Sequence, residues 1–218
     1  MTRPAPPDFD RVAGIYRWAE YACFGPLLQR TRTYLLRELP MLHHALIVGD
    51  GDGRFTQQFL RAQPGCEVLA IDLSAKMLEK LRARCLRATP NASAHLRTVQ
   101  QSALDTTPAR DTDLIVTHFV LDCFPQAQVD ALAQHWGAHL RPGALWLVSD
   151  FAIPRAPLLG SLAKIYIRAL YAAFRLLTGL RVTRLPDPAA ALRSAGFRRL
   201  RHQTFLCGLL YTELWRRE

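Results

Sequence analysis

Short apolar runs of strand length alternate with stretches of helical periodicity along most of this chain. The runs at 45–48, 68–72, 95–99, 113–118 and 144–151 predict strands, and the patterns at 74–87, 126–140 and 189–195 predict helices. This alternation is typical of a parallel sheet that is covered by helices. Two further runs, 197–206 and 209–215, predict a tight hairpin. The pattern therefore predicts an α/β fold.

Two segments lie outside this alternation. Residues 9–39 have the pattern of one or two helices interrupted near Gly25 and Pro26, and we expect 1–40 to form an N-terminal helical cap. Within 153–185, the stretch 158–180 is apolar except for six residues spaced by three or four positions, which a helix places on one narrow stripe. The six are Ser161, Lys164, Arg168, Tyr171, Arg175 and Thr178. A helix this apolar is either buried, against the domain or a dimer partner, or lies in a membrane interface.

Composition indicates one domain. The chain has 218 residues, half of them hydrophobic, which is enough for one sizeable core and short for two. The first ten residues are polar and rich in proline, so we expect no signal peptide. The five cysteines are scattered without a C-x-x-C pair, which predicts reduced thiols in a cytoplasmic protein. The seven histidines have no metal-ligand spacing, and we predict no metal site.

Positive charge is concentrated in the last third of the chain. The net charge is +10, with 15 basic and 14 acidic residues in 1–140 but 13 basic and 4 acidic residues in 141–218. Such an excess predicts either a solvated basic surface or contact with something acidic, such as phospholipid, nucleic acid or an anionic substrate.

Three glycines at alternate positions, Gly49, Gly51 and Gly53, follow the first predicted strand directly. Glycines let the backbone turn sharply beneath a ligand, and we expect the helix that starts near Arg54 to direct free N–H groups into the same crevice. Asp72 lies 19 residues beyond Gly53, at the end of the second strand, where such folds hold an acid against ribose hydroxyls. The pattern predicts a nucleoside ligand, and the alternative is a turn that merely joins strand to helix.

Two acidic residues in the glycine loop indicate which nucleoside. A dinucleotide brings a pyrophosphate to a G-x-G-x-x-G turn, whereas the spacing here is G-x-G-x-G and the intervening Asp50 and Asp52 would repel phosphate. S-adenosylmethionine has no phosphate, and its ammonium and sulphonium groups are cationic. We therefore expect S-adenosylmethionine as the cofactor, with Asp50 and Asp52 facing its methionine end.

The same stretch resembles the glycine-rich first motif of the class I S-adenosylmethionine-dependent methyltransferases. The run L-R-P-G-A before the fifth strand resembles the same family, and L-x-x-A-G-F before the hairpin is similar to the C-terminus of ubiquinone/menaquinone-biosynthesis methyltransferases. The resemblance covers most of the chain. It implies a single domain over 1–218, a Rossmann-like three-layer sandwich whose seven-stranded, mostly parallel sheet has an antiparallel last strand. It also adds an acceptor lid to the interpretations of 153–185.

The resemblance further implies roles for particular residues. It places Thr117 and His118 beside the transferred methyl group and Tyr16 near the pocket. Ile47 stands where the family usually has an acid, so that Asp50 or Asp52 takes over the methionine end or the site is weak. Ser102 also stands where the family commonly has an acid, and its hydroxyl can accept the adenine hydrogen bond more weakly. The residues expected around adenine are Leu73, Met77, Ser102 and Ala103.

His118 and Asp122 are the candidate general bases. An imidazole changes protonation near neutral pH and can take a proton from a phenol or enol, and Asp122 is the second candidate. The alternative is that the protein only aligns donor and acceptor, and that these two side chains shape the pocket.

The motifs together predict a methyltransferase that acts on O or C of a small, lipophilic acceptor, quinone-like or phenolic. Lys164, Arg168 and Arg175 suggest contact with an anionic membrane surface at its inner face, and a homodimer is the alternative. An RNA methyltransferase also stays open because of the basic last third, although the arginines accompany an apolar helix instead of a stacking platform. A catalytically silent relative that binds a membrane or a partner stays open because of Ile47 and Ser102.

Overall fold

Seven strands and seven helices occur in the described part of the chain. The computed structural model describes residues 25–88, 92–154, 160–161, 163–169, 172, 182 and 184–218. The strands are β1 (His44–Val48), β2 (Glu67–Asp72), β3 (Leu96–Gln100), β4 (Leu114–His118), β5 (Leu145–Phe151), β6 (Phe197–Phe205) and β7 (Leu210–Arg217). The helices are α1 (Leu27–Thr33), α2 (Arg54–Ala62), α3 (Ala75–Ala88), α4 (Ala92–His95), α5 (Gln126–His139), α6 (163–169) and α7 (Pro188–Ser194). The boundaries predicted for the seven strands and for α3, α5 and α7 differ from these by one or two residues, and α4 was not predicted.

The strands form one sheet in the order β3-β2-β1-β4-β5-β7-β6. β1 to β5 pair in parallel, whereas β7 is antiparallel to both of its neighbours, β5 and β6. The predicted seven-stranded, mostly parallel sheet is confirmed. The antiparallel strand is the last one in the chain but lies inside the sheet, because β6 occupies the edge.

The side chains of each strand alternate between two helical layers. In β1, Ala45 and Ile47 belong to the cluster that packs under α2 and α3, whereas Leu46 and Val48 belong to the cluster under α5 and α7. This is the expected result of the two-residue period of a strand that is covered on both faces. The three-layer prediction is therefore confirmed.

A third apolar cluster covers the carboxyl end of β5. It joins residues from α1, β5, α6 and the β6–β7 hairpin, namely Leu28, Phe151, Ala163, Ile167, Val182, Leu209 and Leu210. The described parts of the predicted N-terminal cap and helical insertion thus meet at one end of the sheet. Tyr16 and Arg175, for which roles were predicted, lie outside the described residues, as does most of the predicted 158–180 helix.

Neither a membrane span nor a disulfide is found among the described residues. No described helix has the length and hydropathy that crossing a bilayer requires. Cys66, Cys85, Cys123 and Cys207 are free thiols. Cys66 and Cys85 are core residues, and burial raises the pKa of each to about 12.

Candidate functional site

The crevice lies where the sheet reverses its strand order. The chain passes from β1 to β2 on one side and crosses from β3 to β4 on the other, so the loops after β1 and β4 separate at their carboxyl ends. Open α/β sheets bind ligands at such a switch point. The structure therefore brings the glycine loop and the β4 exit together, as the sequence predicted.

All three loop glycines adopt left-handed backbone conformations. The φ angles are 65° at Gly49, 57° at Gly51 and 80° at Gly53, a region that L side chains rarely adopt. A Cβ atom on Gly49 would lie 2.5 Å from Cγ2 of Val120, in the loop after β4. Glycine at position 49 is therefore what allows the two loops of the crevice to touch.

The Asp50 carboxylate is engaged within the protein, and its contact with the methionine end of a cofactor stays a prediction. Its side chain is buried, and its carboxylate accepts hydrogen bonds from the Thr56 N–H (2.7 Å), the Thr56 hydroxyl (2.7 Å) and the Phe55 N–H (3.3 Å). Burial raises the pKa of Asp50, while these hydrogen bonds and the nearby Arg32 charge oppose that rise. The carboxylate caps α2, so the prediction that the first N–H groups of this helix are free for a ligand is wrong for Phe55 and Thr56.

Asp52 is also engaged within the protein. Its carboxylate lies 2.7 Å from Nη2 of Arg84 on α3 and 3.2 Å from Nε of Arg54, and its carbonyl accepts from Nε of Arg84 at 2.7 Å. The negative charge that was predicted to attract a cationic ligand is therefore largely balanced by arginine. The sequence did not indicate this partner, because Arg84 is 32 residues away and only the fold brings it near. Contact of Asp52 with a cofactor stays a prediction.

Asp72 occupies the predicted position at the tip of β2. Its half-buried carboxylate accepts hydrogen bonds from the N–H of Ser74, at 2.8 Å, and from the N–H groups of Gly51 and Leu73. Burial raises its pKa to about 6, despite these hydrogen bonds. The glycine loop and the acid of the next strand thus form one hydrogen-bonded unit.

The residues predicted to surround adenine lie at the ends of β2 and β3. Leu73 is half-buried, and its carbonyl accepts from the side chain of Gln100. Ser74 caps α3 by accepting the Met77 N–H at 3.1 Å, and Met77 is buried. The Ser102 hydroxyl accepts the Leu104 N–H at 3.2 Å, which leaves it one further lone pair, and Ala103 is buried. Contact of these residues with adenine stays a prediction.

Thr117 and His118 point to opposite faces of the sheet, because they are neighbours on β4. The Thr117 hydroxyl accepts a hydrogen bond from Nε1 of Trp146 at 2.9 Å, inside the core under α5. Its side chain is therefore directed into that core, and a position beside the transferred methyl group stays a prediction for Thr117. His118 lies on the α2 side, edge-on to Phe55 with ring centroids 4.5 Å apart.

His118 is a buried imidazole without a described partner. Its side chain is 2% exposed, and neither ring nitrogen has a hydrogen-bond partner among the described residues. Burial lowers the pKa of His118 well below its usual range, and the nearby positive charge of Arg32 lowers it further. His118 is therefore neutral at pH 7.

Asp122 shares its surroundings with a second acid that the sequence analysis did not single out. The backbone N–H of Asp122 donates to Oδ2 of Asp150, the penultimate residue of β5, at 3.1 Å, and both side chains are buried. Burial raises the pKa of Asp122 to about 6. Burial and the neighbouring Asp122 raise that of Asp150 well above its usual range. The position of Asp150 at a strand end was the signal available in the sequence.

Arg32 and Phe119 are two further residues that the sequence did not indicate. Arg32 on α1 is 6% exposed and lies over the Phe119 ring, with its guanidinium carbon 5.1 Å from the ring centroid. Phe119 has a φ of 57°, an uncommon backbone conformation for a bulky residue, directly after β4. No sequence pattern reports such a conformation or the burial of one arginine.

A metal site is not apparent in this region. Among the described residues, no group of three or more His, Cys, Asp or Glu side chains could hold a metal ion.

Comparison with known proteins agrees with the geometry of the crevice. A family model described as a methyltransferase domain matches residues 46–146, from β1 into β5. A comparison with curated protein sequences gives no match.

Solved structures of methyltransferases share the fold. The chain superposes on the mitomycin 7-O-methyltransferase MmcR with a TM-score of 0.68 and 16% identity, covering 97% of this chain and 61% of that one. The S-adenosylmethionine-dependent methyltransferase SibL superposes with a TM-score of 0.66 and 20% identity, covering 99% of this chain and 63% of that one. An O-methyltransferase family 2 protein from Planctomyces limnophilus, in complex with apigenin, superposes with a TM-score of 0.69 and 16% identity. The superposition covers 94% of this chain and 62% of that one. The chain thus spans less than two thirds of each of these proteins.

The sheet order and the similar structures define the fold. The chain has the fold of the class I methyltransferases. Residues 46–146 match a family model described as a methyltransferase domain, and S-adenosylmethionine is the methyl donor of the methyltransferase SibL, which shares this fold.

Proposed function

We propose that this protein is a methyltransferase that transfers a methyl group from S-adenosylmethionine to O or C of a small, lipophilic aromatic acceptor, quinone-like or phenolic. One observation carries the proposal. Asp72 and the left-handed glycine loop are joined by the Gly51 hydrogen bond at the point where the strand order reverses. The acceptor class is supported by the similar structures, one of which is a mitomycin 7-O-methyltransferase and another of which contains apigenin.

The residues of the crevice fit a nucleoside that carries no phosphate. Asp72 can accept hydrogen bonds from ribose hydroxyls, as acids at this strand position do. The Asp50 carboxylate accepts hydrogen bonds from the amides at the start of α2, which would otherwise be available to bind a pyrophosphate. When it is bound, S-adenosylmethionine supplies an electrophilic methyl group. A dinucleotide is therefore a poor fit.

Arg32 is the residue that we assign to the methionine end. It places a buried positive charge near both Asp50 and His118. The carboxylate of an amino acid is the complementary ligand for a guanidinium. Asp50 then orients the loop and α2 through its hydrogen bonds.

Asp122 is a better candidate than His118 for removing a proton from the acceptor. Protonation of His118 would create a second positive charge in a buried space near Arg32, which is unfavourable. Asp122 has a pKa of about 6, closer to neutral than that of an ordinary aspartate, and a base is most effective near the working pH. In an O-methylation, the Asp122 carboxylate would take the phenolic proton, and the donor would supply the methyl group with loss of its carbon–sulfur bond. His118, as a neutral imidazole, is left to hydrogen-bond a ligand.

The RNA alternative rested on the basic last third of the chain. Three arginines of β6 form ion pairs with carboxylates: Arg198 with Glu218, Arg199 with Glu213 and Arg201 with Glu38. These pairs balance part of the basic excess locally, which weakens the case for phosphate contacts along β6. We therefore do not propose RNA as the acceptor.

Calorimetric titration with S-adenosylmethionine and its demethylated product tests the proposed donor. We expect micromolar binding, with a binding free energy of about −8 kcal/mol, that is lost in Asp72→Ala. The matched control is Asp130→Ala, which removes an exposed acid from α5 and should retain the binding. An Asp122→Asn variant should bind the donor normally but transfer methyl groups to phenolic acceptors more slowly. Absence of heat and of thermal stabilisation at millimolar ligand would leave the catalytically silent alternative in place.

A further inference from the structure

Four large apolar side chains are exposed around the third cluster, at the carboxyl end of the sheet. Ile165 is 65% exposed, Leu206 45%, Ile153 41% and Tyr166 36%. We call these four residues the outer patch. They lie on α6, on the turn of the β6–β7 hairpin and on the segment that follows β5.

The third cluster holds these three segments together. α6 contributes Ala163 and Ile167 to the cluster, and the hairpin contributes Leu209 and Leu210. A Cβ atom on Gly160, just before α6, would lie 3.6 Å from Cγ2 of Ile153. The outer patch is therefore the exposed side of one packed unit, which also reaches Phe119 and Cys123 beside the crevice.

α6 is amphipathic in an unusual way. Ala163 and Ile167 are buried, so Ile165, two positions from each, lies on the opposite face of the helix. Lys164 and Arg168 are exposed on the flank of that outward face. Neither cation forms an ion pair with a described residue. The outward surface thus combines an exposed aliphatic side chain with two cations.

The stretch of sequence that contains Ile153 and α6 carries charge of a single sign. The sequence from 151 to 186 contains six basic residues, Arg155, Lys164, Arg168, Arg175, Arg181 and Arg184, and no acidic residue. A symmetric dimer through this face would bring Lys164 and Arg168 near their own copies, because a twofold interface uses the same surface on both subunits. The charge therefore favours an acidic occupant over a second copy of the chain.

We propose that the outer patch, with Lys164 and Arg168, docks on the surface of an anionic lipid bilayer. Exposed aliphatic and aromatic side chains enter the boundary between head groups and acyl chains, and cations beside them pair with lipid phosphates. The docked face borders the carboxyl edge of the sheet, so a lipophilic acceptor dissolved in the bilayer has a short path to the crevice. The proposal extends the proposed function but is tested without any methyl donor.

Vesicle flotation measures the docking directly. The 218-residue chain is mixed with vesicles of phosphatidylcholine alone or of phosphatidylcholine with phosphatidylglycerol, and the bound fraction is measured at low and high salt. We expect binding to the anionic vesicles that weakens at high salt, and little binding to the neutral ones. Failure of the anionic vesicles to bind the chain overturns the proposal.

Matched variants locate the docking surface. Replacing Lys164 and Arg168 together by Glu should weaken binding more than tenfold, since each cation near an anionic surface contributes about fivefold. The control is Lys76→Glu with Arg82→Glu, the same change in charge on the exposed face of α3. Ile165→Ser removes apolar contact without changing charge and should weaken binding at both salt concentrations.

Two other results would contradict the proposal. Equal loss of binding in the α3 control would mean that net charge alone, and not this face, holds the vesicles. A concentration-dependent dimer that Ile165→Ser dissociates, without vesicle binding by the parent chain, would assign the patch to self-association. Thermal midpoints of the variants show that the fold is intact, so this test fails or succeeds independently of the methyltransferase assignment.

Discussion

At the scale of single residues, the crevice depends on side chains and glycines whose surroundings are unusual. Asp72 has a raised pKa although it accepts three backbone hydrogen bonds, because burial outweighs them. His118 is buried without a described hydrogen-bond partner. In a native structure such buried groups are the ones that a ligand or water completes. These residues therefore give the most direct tests.

The pKa of Asp72 predicts how donor binding depends on pH. Ribose hydroxyls donate to an ionised carboxylate, and Asp72 becomes protonated as the pH falls through about 6. We expect the affinity for S-adenosylmethionine to fall about tenfold for each pH unit below that value. Asp72→Asn should bind weakly and lack this pH dependence, which calorimetry across the range measures. Parallel pH profiles for the two proteins would contradict the assignment of Asp72.

Gly49→Ala should disrupt the crevice more than its size suggests. The added Cβ atom meets Val120 at 2.5 Å, and the φ of 65° strains any L side chain. Gly143→Ala is the matched control, because Gly143 has a φ of 92° but no atom within 4 Å of the new Cβ. Gly143→Ala should lose about 1 kcal/mol of unfolding free energy to backbone strain. Gly49→Ala should lose more, because Val120 has to move, and only Gly49→Ala should also lose donor affinity. Equal donor binding in the two would show that the contact with Val120 is unimportant.

At the scale of elements, the start of α2 depends on Asp50. This carboxylate satisfies the N–H groups of Phe55 and Thr56, which are unpaired at the beginning of a helix. Asp50→Ala should lower the unfolding free energy by about 1–2 kcal/mol. Asp52→Ala, which removes half-buried ion pairs to Arg54 and Arg84, should lower it by less. Denaturant titration distinguishes the two, and an equal loss would mean that Asp50 is not a cap.

The elements themselves could be predicted because their signals are local. Strands covered on both faces appear as continuous apolar runs, and the alternation of such runs with helical patterns sets the layers. The partners of the loop acids could not be predicted in the same way. Arg84 is 32 residues from Asp52 and becomes its partner only through the packing of α2 on α3. The same holds for Thr117, whose direction depends on which of two adjacent residues faces the crevice.

At the scale of the whole molecule, buried acids gather at one end of the sheet. Asp50, Asp72, Asp122 and Asp150 all have raised pKa values, and burial is the first cause in each case. A carboxyl whose pKa is higher in the folded state stabilises the fold most below its unfolded pKa, and this contribution is lost as the pH rises. His118 acts in the opposite direction, because its lowered pKa costs stability when the pH falls below about 6.5. The two effects can be separated by substitution.

Asp150→Asn should change the pH dependence of stability. The variant lacks the carboxyl whose pKa is raised well above its usual range, so it does not share the stability that the parent loses as that group ionises. The unfolding free energy of the variant should therefore increase relative to that of the parent as the pH rises from about 4 to about 7. The lost hydrogen bond to Phe151 or Asp122 adds a constant offset and leaves this trend in place. Denaturant titrations at several pH values measure it. A constant difference between the two proteins would show that Asp150 is not perturbed.

The interior position of β7 has a consequence for how the sheet is assembled. β7 pairs with β5 over 145–151 and with β6 over 197–205. Before β7 docks, β5 is therefore paired only with β4, and β6 has no strand partner. Until then, β5 has an open edge beside Trp146 and Leu147, which are buried in the finished sheet. Pairings this distant in sequence form slowly. Docking of the hairpin is thus expected to complete folding, and the unfinished edge of β5 is the surface through which a partly folded chain would aggregate.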